Sequence, residues 1–443
     1  MKQDYAGHNE GGAKSISRPE VRDPLLHTLA VDRQQSNLVA RLHEVAEQLF
    51  SEFPWQVIVR DWLGNSQQLG GSTPHWSGDP LVITVKTKAA ARAFADQDVM
   101  KFLEMLLSQE VDLEGNLYLL PFLRKHAKFG RSNFQRLFSL LKNSAFQTTS
   151  RARFNVKSHY DIPQDVLNVY LDKVYLSYSC GMFAEPDRVE RDELLRVGSG
   201  EADDFDSLEK AQWRKFKDAI DFVNPNEGDT LLDVGCGYGG QIAVALKDHL
   251  FGKVVGWTHS ANQVSKGNET LSTFDARRWE LNEGDYRDDE RIYDHITSTG
   301  MISHVGPRGL VPYVCHIRKR IKTGGRYVHH ALMIPHHKIP LNFMIGPSFN
   351  KKYVWPGFHW FTLGTHVKAL EKNGFAVTKA LNLSPHYAKT TAAWHERFRS
   401  KRSLIVQELG EATARAWEIY LAGASGGFVS KGIHVYRLYC EAL

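Results

Sequence analysis

Apolar and polar positions follow two different rhythms along the chain. Over residues 38–50 the apolar side chains recur at helical spacing, whereas residues 55–61 (WQVIVRD) and 81–85 (LVITV) read as strands. Residues 89–110 and 117–141 are predicted helical, the latter bearing Arg124, Lys125, His126, Lys128 and Arg131. Together residues 25–150 are expected to form a small α+β domain, preceded by a polar, disordered tail over residues 1–24. Beyond residue 155 helices and strands alternate. An amphipathic helix is predicted over 207–223, and a short apolar strand over 230–234 (TLLDV) that ends in a glycine turn. A helix over 241–249 and a second strand over 253–258 (KVVGWT) follow. Residues 295–299 and 326–331 are further strands, with a helix over 310–321 between them. This order is a βαβ crossover pattern, so residues 151–443 are expected to build a mostly parallel sheet with helices on both faces.

Size and composition narrow the functional classes. A chain of 443 residues with 42% apolar content has room for two or three units with real cores. The basic excess is only +5, without the dense clustering of a nucleic-acid binder, and it suits an anionic surface or substrate. Cys180, Cys236, Cys315 and Cys440 are scattered and form no CxxC pair, so a reducing cytoplasm is expected. No run of about 18 apolar residues occurs, so any membrane contact is expected to be peripheral. His329-His330 and His336-His337 do not make a metal site, because adjacent strand residues face opposite ways.

The chemistry concentrates at the glycine turn. Asp233-Val234-Gly235-Cys236-Gly237-Tyr238-Gly239-Gly240 follows the first strand of the crossover, where glycines permit a sharp turn and close ligand approach. Gly235, Gly237 and Gly240 also satisfy the dinucleotide pattern. However, the second strand ends in Thr258-His259-Ser260, with no acid for a nicotinamide ribose. Asp233 ahead of the first glycine, and Gly284-Asp285-Tyr286 after the next strand, favour S-adenosylmethionine instead.

At this point residues 159–440 resemble the cyclopropane-fatty-acyl-phospholipid synthases, which include the mycolic acid cyclopropane synthases. The resemblance is carried in order by His159-Tyr160-Asp161, Tyr178-Ser179-Cys180, Ser207-Leu208-Glu209-Lys210-Ala211-Gln212, Thr258-His259-Ser260 with Gln263, and Gly300-Met301-Ile302-Ser303-His304-Val305-Gly306. Tyr353-Val354-Trp355-Pro356-Gly357, His386-Tyr387-Ala388-Lys389-Thr390, Trp394, Tyr420-Leu421 and Phe428 complete it. It implies a Rossmann-like class I methyltransferase with a smaller N-terminal α+β domain of lipid-handling type. Tyr178, Ser179, Asp233, Gly235, Gly237, Gly239, Thr258, Ser260, Gln263, Asp285 and Tyr286 would hold S-adenosylmethionine, with Tyr178 and Ser179 at its methionine end. The implied reaction moves a methylene onto the double bond of a phospholipid acyl chain through a carbocation. Bicarbonate would be the base, held by Cys180, His330, Tyr387 and a backbone group near Leu332.

Two departures from the family pattern matter. Ser303 stands where the family has a glutamate, so the anion cradle is altered or another base acts. Glu185 and Asp161 are the nearby carboxylates, and the product is a ring or a methyl or methylene branch. Residues 184–206 are longer than the family's equivalent and acidic, and are read as a solvated surface loop, or alternatively a lid. The clustered aromatics Trp355, Phe358, Trp360 and Phe361 would line an acyl channel or simply form core. Other readings are an amine N-methyltransferase of the same fold, for which Ser303 needs no bicarbonate, and a lipid-binding protein without catalysis. The expected partners are a phospholipid membrane surface at the cytoplasmic inner face, an unsaturated acyl chain and a second copy of the chain, with no nucleic acid.

Overall fold

The computed structural model describes residues 24–126, 163–198, 206–248, 251–335, 350, 353–354 and 358–443, with side chains of the first helix described from residue 35. The expected disorder of residues 1–23, the basic run beyond His126, Asp161, the His336-His337 pair and Trp355 lie outside these residues.

The N-terminal unit begins with α1 (Pro24–Phe50), whose apolar stripe of Leu42, Val45, Ala46 and Leu49 is buried. β1 (Val57–Arg60), β2 (Ser66–Leu69) and β3 (Leu81–Val85) follow. Then come α2 (Lys88–Ala95), capped by the Thr87 hydroxyl, α3 (Val99–Leu107) and β4 (Val111–Gly115). The four strands form one sheet in the order β2-β1-β3-β4. β1 and β3 run parallel and the outer pairs antiparallel.

The larger sheet is built from α4 (Leu208–Val223), β5 (Thr230–Val234), α5 (Gly240–Asp248), β6 (Lys253–Thr258), α6 (Ala261–Leu271) and β7 (Trp279–Glu283). β8 (His295–Thr299), α7 (Leu310–Arg320), β9 (Arg326–Ile334), β10 (Phe361–Thr362) and α8 (Leu363–Lys372) continue it. β11 (Phe375–Asn382), α9 (Ser384–Ser400), α10 (Glu411–Val429) and β12 (His434–Ala442) complete it. The strand order is β11-β12-β9-β8-β5-β6-β7, with β10 pairing on β9. From β9 to β7 every pairing is parallel, and β12 enters antiparallel between β9 and β11. The crossover strands are buried almost throughout, as a sheet covered on both faces requires.

The two sheets are joined by one apolar core rather than by a thin interface. Leu42, Phe53, Val57 and Tyr118 from the N-terminal unit belong to the same buried cluster as Trp394, Phe398, Trp417 and Leu421 from α9 and α10. Gly426 makes the approach possible, because a Cβ there would stand 2.1 Å from the Tyr118 carbonyl oxygen. The Tyr118 hydroxyl donates to Glu396 Oε1 at 2.9 Å, and its oxygen lies 2.7 Å from His395 Nδ1.

The acidic segment after Phe183 is largely exposed where it is described, as a surface loop is, but it is anchored at a few points. Lys389, almost fully buried on α9, donates to the Glu185 carbonyl (3.2 Å), Glu193 Oε1 (3.2 Å) and Asp206 Oδ2 (2.8 Å). Leu194 is buried, and Arg191 reaches Glu396 at 3.2 Å. The sequence does not reveal this anchor, because the cation lies 204 residues beyond Glu185 along the chain.

Candidate active site

β5 is apolar on both faces and stops where three residues adopt positive φ: Gly235 (+79°), Gly237 (+56°) and Gly239 (+79°). The turn is fastened to the neighbouring strand, since the N–H groups of Gly235 and Cys236 both donate to the Trp257 carbonyl at 3.0 and 3.1 Å. A Cβ on Gly235 would lie 2.9 Å from that of Met301, whereas one on Gly237 would meet nothing within 4 Å. The backbone at Gly237 therefore lies bare beside open space. Asp233 is buried at the end of β5 and accepts from the Thr297 hydroxyl at 2.9 Å, and burial pushes its carboxyl up to about 7.

The next two strand ends lie at the same edge. Thr258 ends β6, and its hydroxyl donates to Gln263 Oε1 at 2.5 Å. The Ser260 hydroxyl caps α6 by accepting from the Gln263 N–H at 3.3 Å. Asp285 is buried after β7, where its carboxylate accepts from the Arg287 N–H and pairs with the Arg287 guanidinium. Tyr286 packs edge-on against Tyr313 and His316. The carboxyl edge of a parallel sheet, beside the point where strand order reverses at β5, is where such folds bind ligands.

The segment leading to Cys180 rests on buried polar groups from α4. The Lys215 ammonium donates to Ser177 Oγ (2.5 Å), Ser179 Oγ (2.8 Å) and Gln212 Oε1 (2.6 Å). The Gln212 amide nitrogen donates to the carbonyls of Ser179 (2.8 Å) and Ser177 (3.4 Å). Asp172 accepts the N–H groups of Val174, Tyr175 and Ser177. Neither Lys215 nor Asp172 was singled out by the sequence, and Gln212 was named only as a member of a motif. The available signal was the spacing of Leu208, Gln212, Lys215 and Ala219, which puts two polar residues on the helix face that also carries Ala211 and Ile220.

Cys180 is fully buried, its thiol directed at the carbonyls of Gly181 (3.2 Å) and Leu383 (3.7 Å) and pushed up to about 12 by burial. A protonated thiol donates a hydrogen bond and does not attack. Cys180, Leu332, Tyr387 and Phe428 share one apolar cluster. Around it stands an aromatic wall: Tyr178 stacks on Trp394 (4.9 Å, 15°), Tyr387 stacks on Phe428 (4.8 Å, 25°), and Tyr387 meets Trp394 at 85°. Phe358 and Trp360 pack on each other at 4.7 Å, and Phe361 meets His359 and His366.

His330 lies in the middle of β9, opposite Arg437 of β12. Burial, with the Arg437 and Lys215 cations behind it, holds the imidazole well below its usual range. Neither ring nitrogen has a hydrogen-bond partner among the described residues, and the same is true of the buried Ser303 hydroxyl. Ser303 sits in the short turn Met301–His304 that follows β8, which the Gly300 N–H ties to the His330 carbonyl at 2.9 Å. Glu185 is exposed and paired with Arg188, not beside Cys180. His329 faces the other side of the sheet and bonds Tyr327 and His366. Among the described residues no group of three His, Cys, Asp or Glu could hold a metal ion.

The strand order, the single antiparallel strand and the glycine turn at the end of β5 define a class I methyltransferase. The cyclopropane synthase MmaA2 from Mycobacterium tuberculosis has this fold, with a TM-score of 0.58 at 24% identity over 65% of this chain and 98% of that one. Residues 147–438 match the family model of mycolic acid cyclopropane synthetase, so the chain belongs to that family of S-adenosylmethionine-dependent methyltransferases. The tuberculostearic acid methyltransferase of Mycobacterium tuberculosis is 29% identical over 65% of this chain, which spans 64% of that protein's length. The cyclopropane-fatty-acyl-phospholipid synthase of Escherichia coli (strain K12) is also 29% identical, over 68% of this chain and 70% of that protein. Residues 1–146 lie outside the family match.

Proposed function

We propose that the chain transfers a methyl or methylene group from S-adenosylmethionine to the double bond of an unsaturated phospholipid acyl chain. The observation that carries this reading is the apolar, aromatic surround of Cys180, and the buried polar atoms of His330 and Ser303, which have no partner among the described residues, support it separately. Alkylation of an alkene leaves positive charge on carbon. The π faces of Tyr178, Trp394 and Tyr387 stabilise such a charge while excluding water.

The residues fit the cofactor. Gly235, Gly237 and Gly239 give the bare backbone it needs, Thr258, Ser260 and Gln263 replace the acid a nicotinamide site would want, and Asp233, Asp285 and Tyr286 close the same edge. Tyr178 and Ser179 take its methionine end. When bound, S-adenosylmethionine supplies an electrophilic methyl group on a sulfonium centre.

The residues also fit a small oxyanion such as bicarbonate, which would supply a base. Buried donors and acceptors left without partners call for a guest that completes them. His330 and Ser303 offer such groups, and the protonated Cys180 thiol and the Tyr387 hydroxyl would complete the set. Ser303 holds no charge, so it orients a bound anion without raising its proton affinity as a carboxylate would.

In this reading residues 25–150 are a lipid-handling domain. The enzyme works peripherally at the cytoplasmic face of a phospholipid membrane. Among the described residues no helix is long and apolar enough to cross a membrane.

The test is mass spectrometry of lipids from cells expressing the chain. A gain of about 14 mass units on unsaturated acyl chains, one CH₂, is expected from the transfer chemistry. Unchanged lipids together with methylation of a supplied amine would overturn the acyl-chain reading in favour of an amine N-methyltransferase.

A further inference from the structure

Lys215 presents an unusual arrangement. It is fully buried, and its three N–H donors meet three neutral acceptors, Ser177 Oγ, Ser179 Oγ and Gln212 Oε1, while its ammonium lies 3.9 Å from the centre of the Phe216 ring. Among the described residues no carboxylate touches it. Asp172 is occupied by three backbone N–H groups and acts on Lys215 only through space. Other buried cations have carboxylate partners, Arg437 in Asp218, Arg397 in Glu209 and Lys389 in Glu193 and Asp206. Burial pushes the Lys215 ammonium well below its usual range, so in this low-dielectric interior, without a contact ion pair, its charged form is favoured by a nearby anion.

An ammonium can only donate, so both serine oxygens accept from Lys215. The two hydroxyl oxygens are 3.1 Å apart, so one hydroxyl donates to the other and a single hydroxyl hydrogen is left to point away from the cation. Gln212 fixes the backbone of the same segment by donating to the carbonyls of Ser177 and Ser179. The shelf therefore takes up the accepting capacity of this segment and leaves it a donor.

We propose that Lys215 is a positioning residue that commits Ser179 to donate its hydroxyl hydrogen to a carboxylate, that of the cofactor's amino-acid end. It makes binding selective for a cofactor that carries this group. The proposal rests on the cofactor reading above, and its test separates the two.

Calorimetric titration of the full chain with S-adenosylhomocysteine is compared with 5′-methylthioadenosine, which keeps the nucleoside and thioether but lacks the carboxylate. Lys215→Met is expected to weaken S-adenosylhomocysteine about 10- to 100-fold, the range for a lost hydrogen bond to a charged group. Affinity for 5′-methylthioadenosine should stay within about twofold. Ser179→Ala should give a similar selective loss, and the double variant should add little to it. Equal losses for both ligands, or no loss for either, would overturn the proposal. Should Lys215→Met fail to fold, Ser179→Ala with the same two ligands decides the matter by the same criterion. A wild-type chain that binds neither ligand overturns the cofactor reading and this assignment with it.

Discussion

Replacing Gly237 with alanine separates a cost to the fold from a cost to the ligand. Gly237 has φ +56°, inside the left-handed region where an L-residue is disfavoured by roughly 1–2 kcal/mol. The added Cβ meets no atom within 4 Å, so no packing penalty joins that backbone cost. Gly237→Ala should therefore lower unfolding stability by only about 1 kcal/mol. The same methyl group stands over the bare backbone that a cofactor must approach. Forcing an extra methyl into a close contact costs about 1–3 kcal/mol, a loss of roughly 5- to 150-fold in Kd. Gly235→Ala is the contrasting control. Its Cβ would lie 2.9 Å from Met301 Cβ and 3.0 Å from Cγ, so stability should fall further at that position. The assays are denaturant unfolding and calorimetric titration with S-adenosylhomocysteine. If Gly237→Ala binds within about twofold of wild type while its stability drops as expected, the turn is merely structural and the cradle has been misread.

Other substitutions probe the remaining parts of the molecule. Lys389→Met leaves Asp206 and Glu193 without their buried cation. It should cost about 3 kcal/mol and speed amide exchange over residues 185–198, and unchanged exchange there would show that Lys389 does not anchor the segment. Burial raises Glu396, but hydrogen bonds from His395 and Tyr118 outweigh it and hold the carboxyl down at about 2, against 4.5 for a free glutamate. Its depressed value stabilises the fold above about pH 4.5, and that contribution is lost as pH falls toward 2. Glu396→Gln should flatten this acid limb in pH-dependent unfolding, and an unaltered slope would contradict the assignment. Ser303→Glu puts a carboxylate beside His330 and is expected to raise the fraction of cyclopropane among modified acyl chains. An unchanged product ratio in lipid mass spectrometry would remove Ser303 from the chemistry.

The parallel half of the large sheet was legible because strands covered on both faces must be apolar, as in residues 230–234 and 253–258, and because the glycine turn follows the first of them. β12 was not, since its pattern is interrupted by Arg437, a buried cation whose partner Asp218 lies on a distant helix. β2 (SQQL) carries one buried apolar residue at the sheet edge and leaves almost no periodic trace. For the site, motifs named the residues at the strand ends, and those residues do lie at one edge of the sheet. Lys215 stayed hidden because a lysine on a helix ordinarily reads as a solvated position, and nothing local reveals that two serines from another segment will cover it. The aromatic wall was half legible. Tyr178, Tyr387, Trp394 and Phe428 were all visible as motif members, but their stacking depends on how α9 and α10 fold back over Cys180. The aromatics Trp355, Phe358, Trp360 and Phe361, read from the sequence as either an acyl channel or core, were grouped by proximity along the chain, which says little about proximity in space.

Gly426 settles how this molecule can be dissected. With its backbone against the Tyr118 carbonyl, and with Trp417 and Leu421 sharing solvent-free space with Leu42 and Val57, neither half owns a complete interior. Cutting the gene between the two sheets would strip Trp417 and Leu421 of their cover. The fragment left behind would be expected to clump rather than remain dispersed, even though it keeps every residue assigned to catalysis. Heating the intact chain should accordingly disrupt both sheets in one transition, and the amino-terminal region acts as a permanent part of the catalytic body rather than an accessory that can be exchanged.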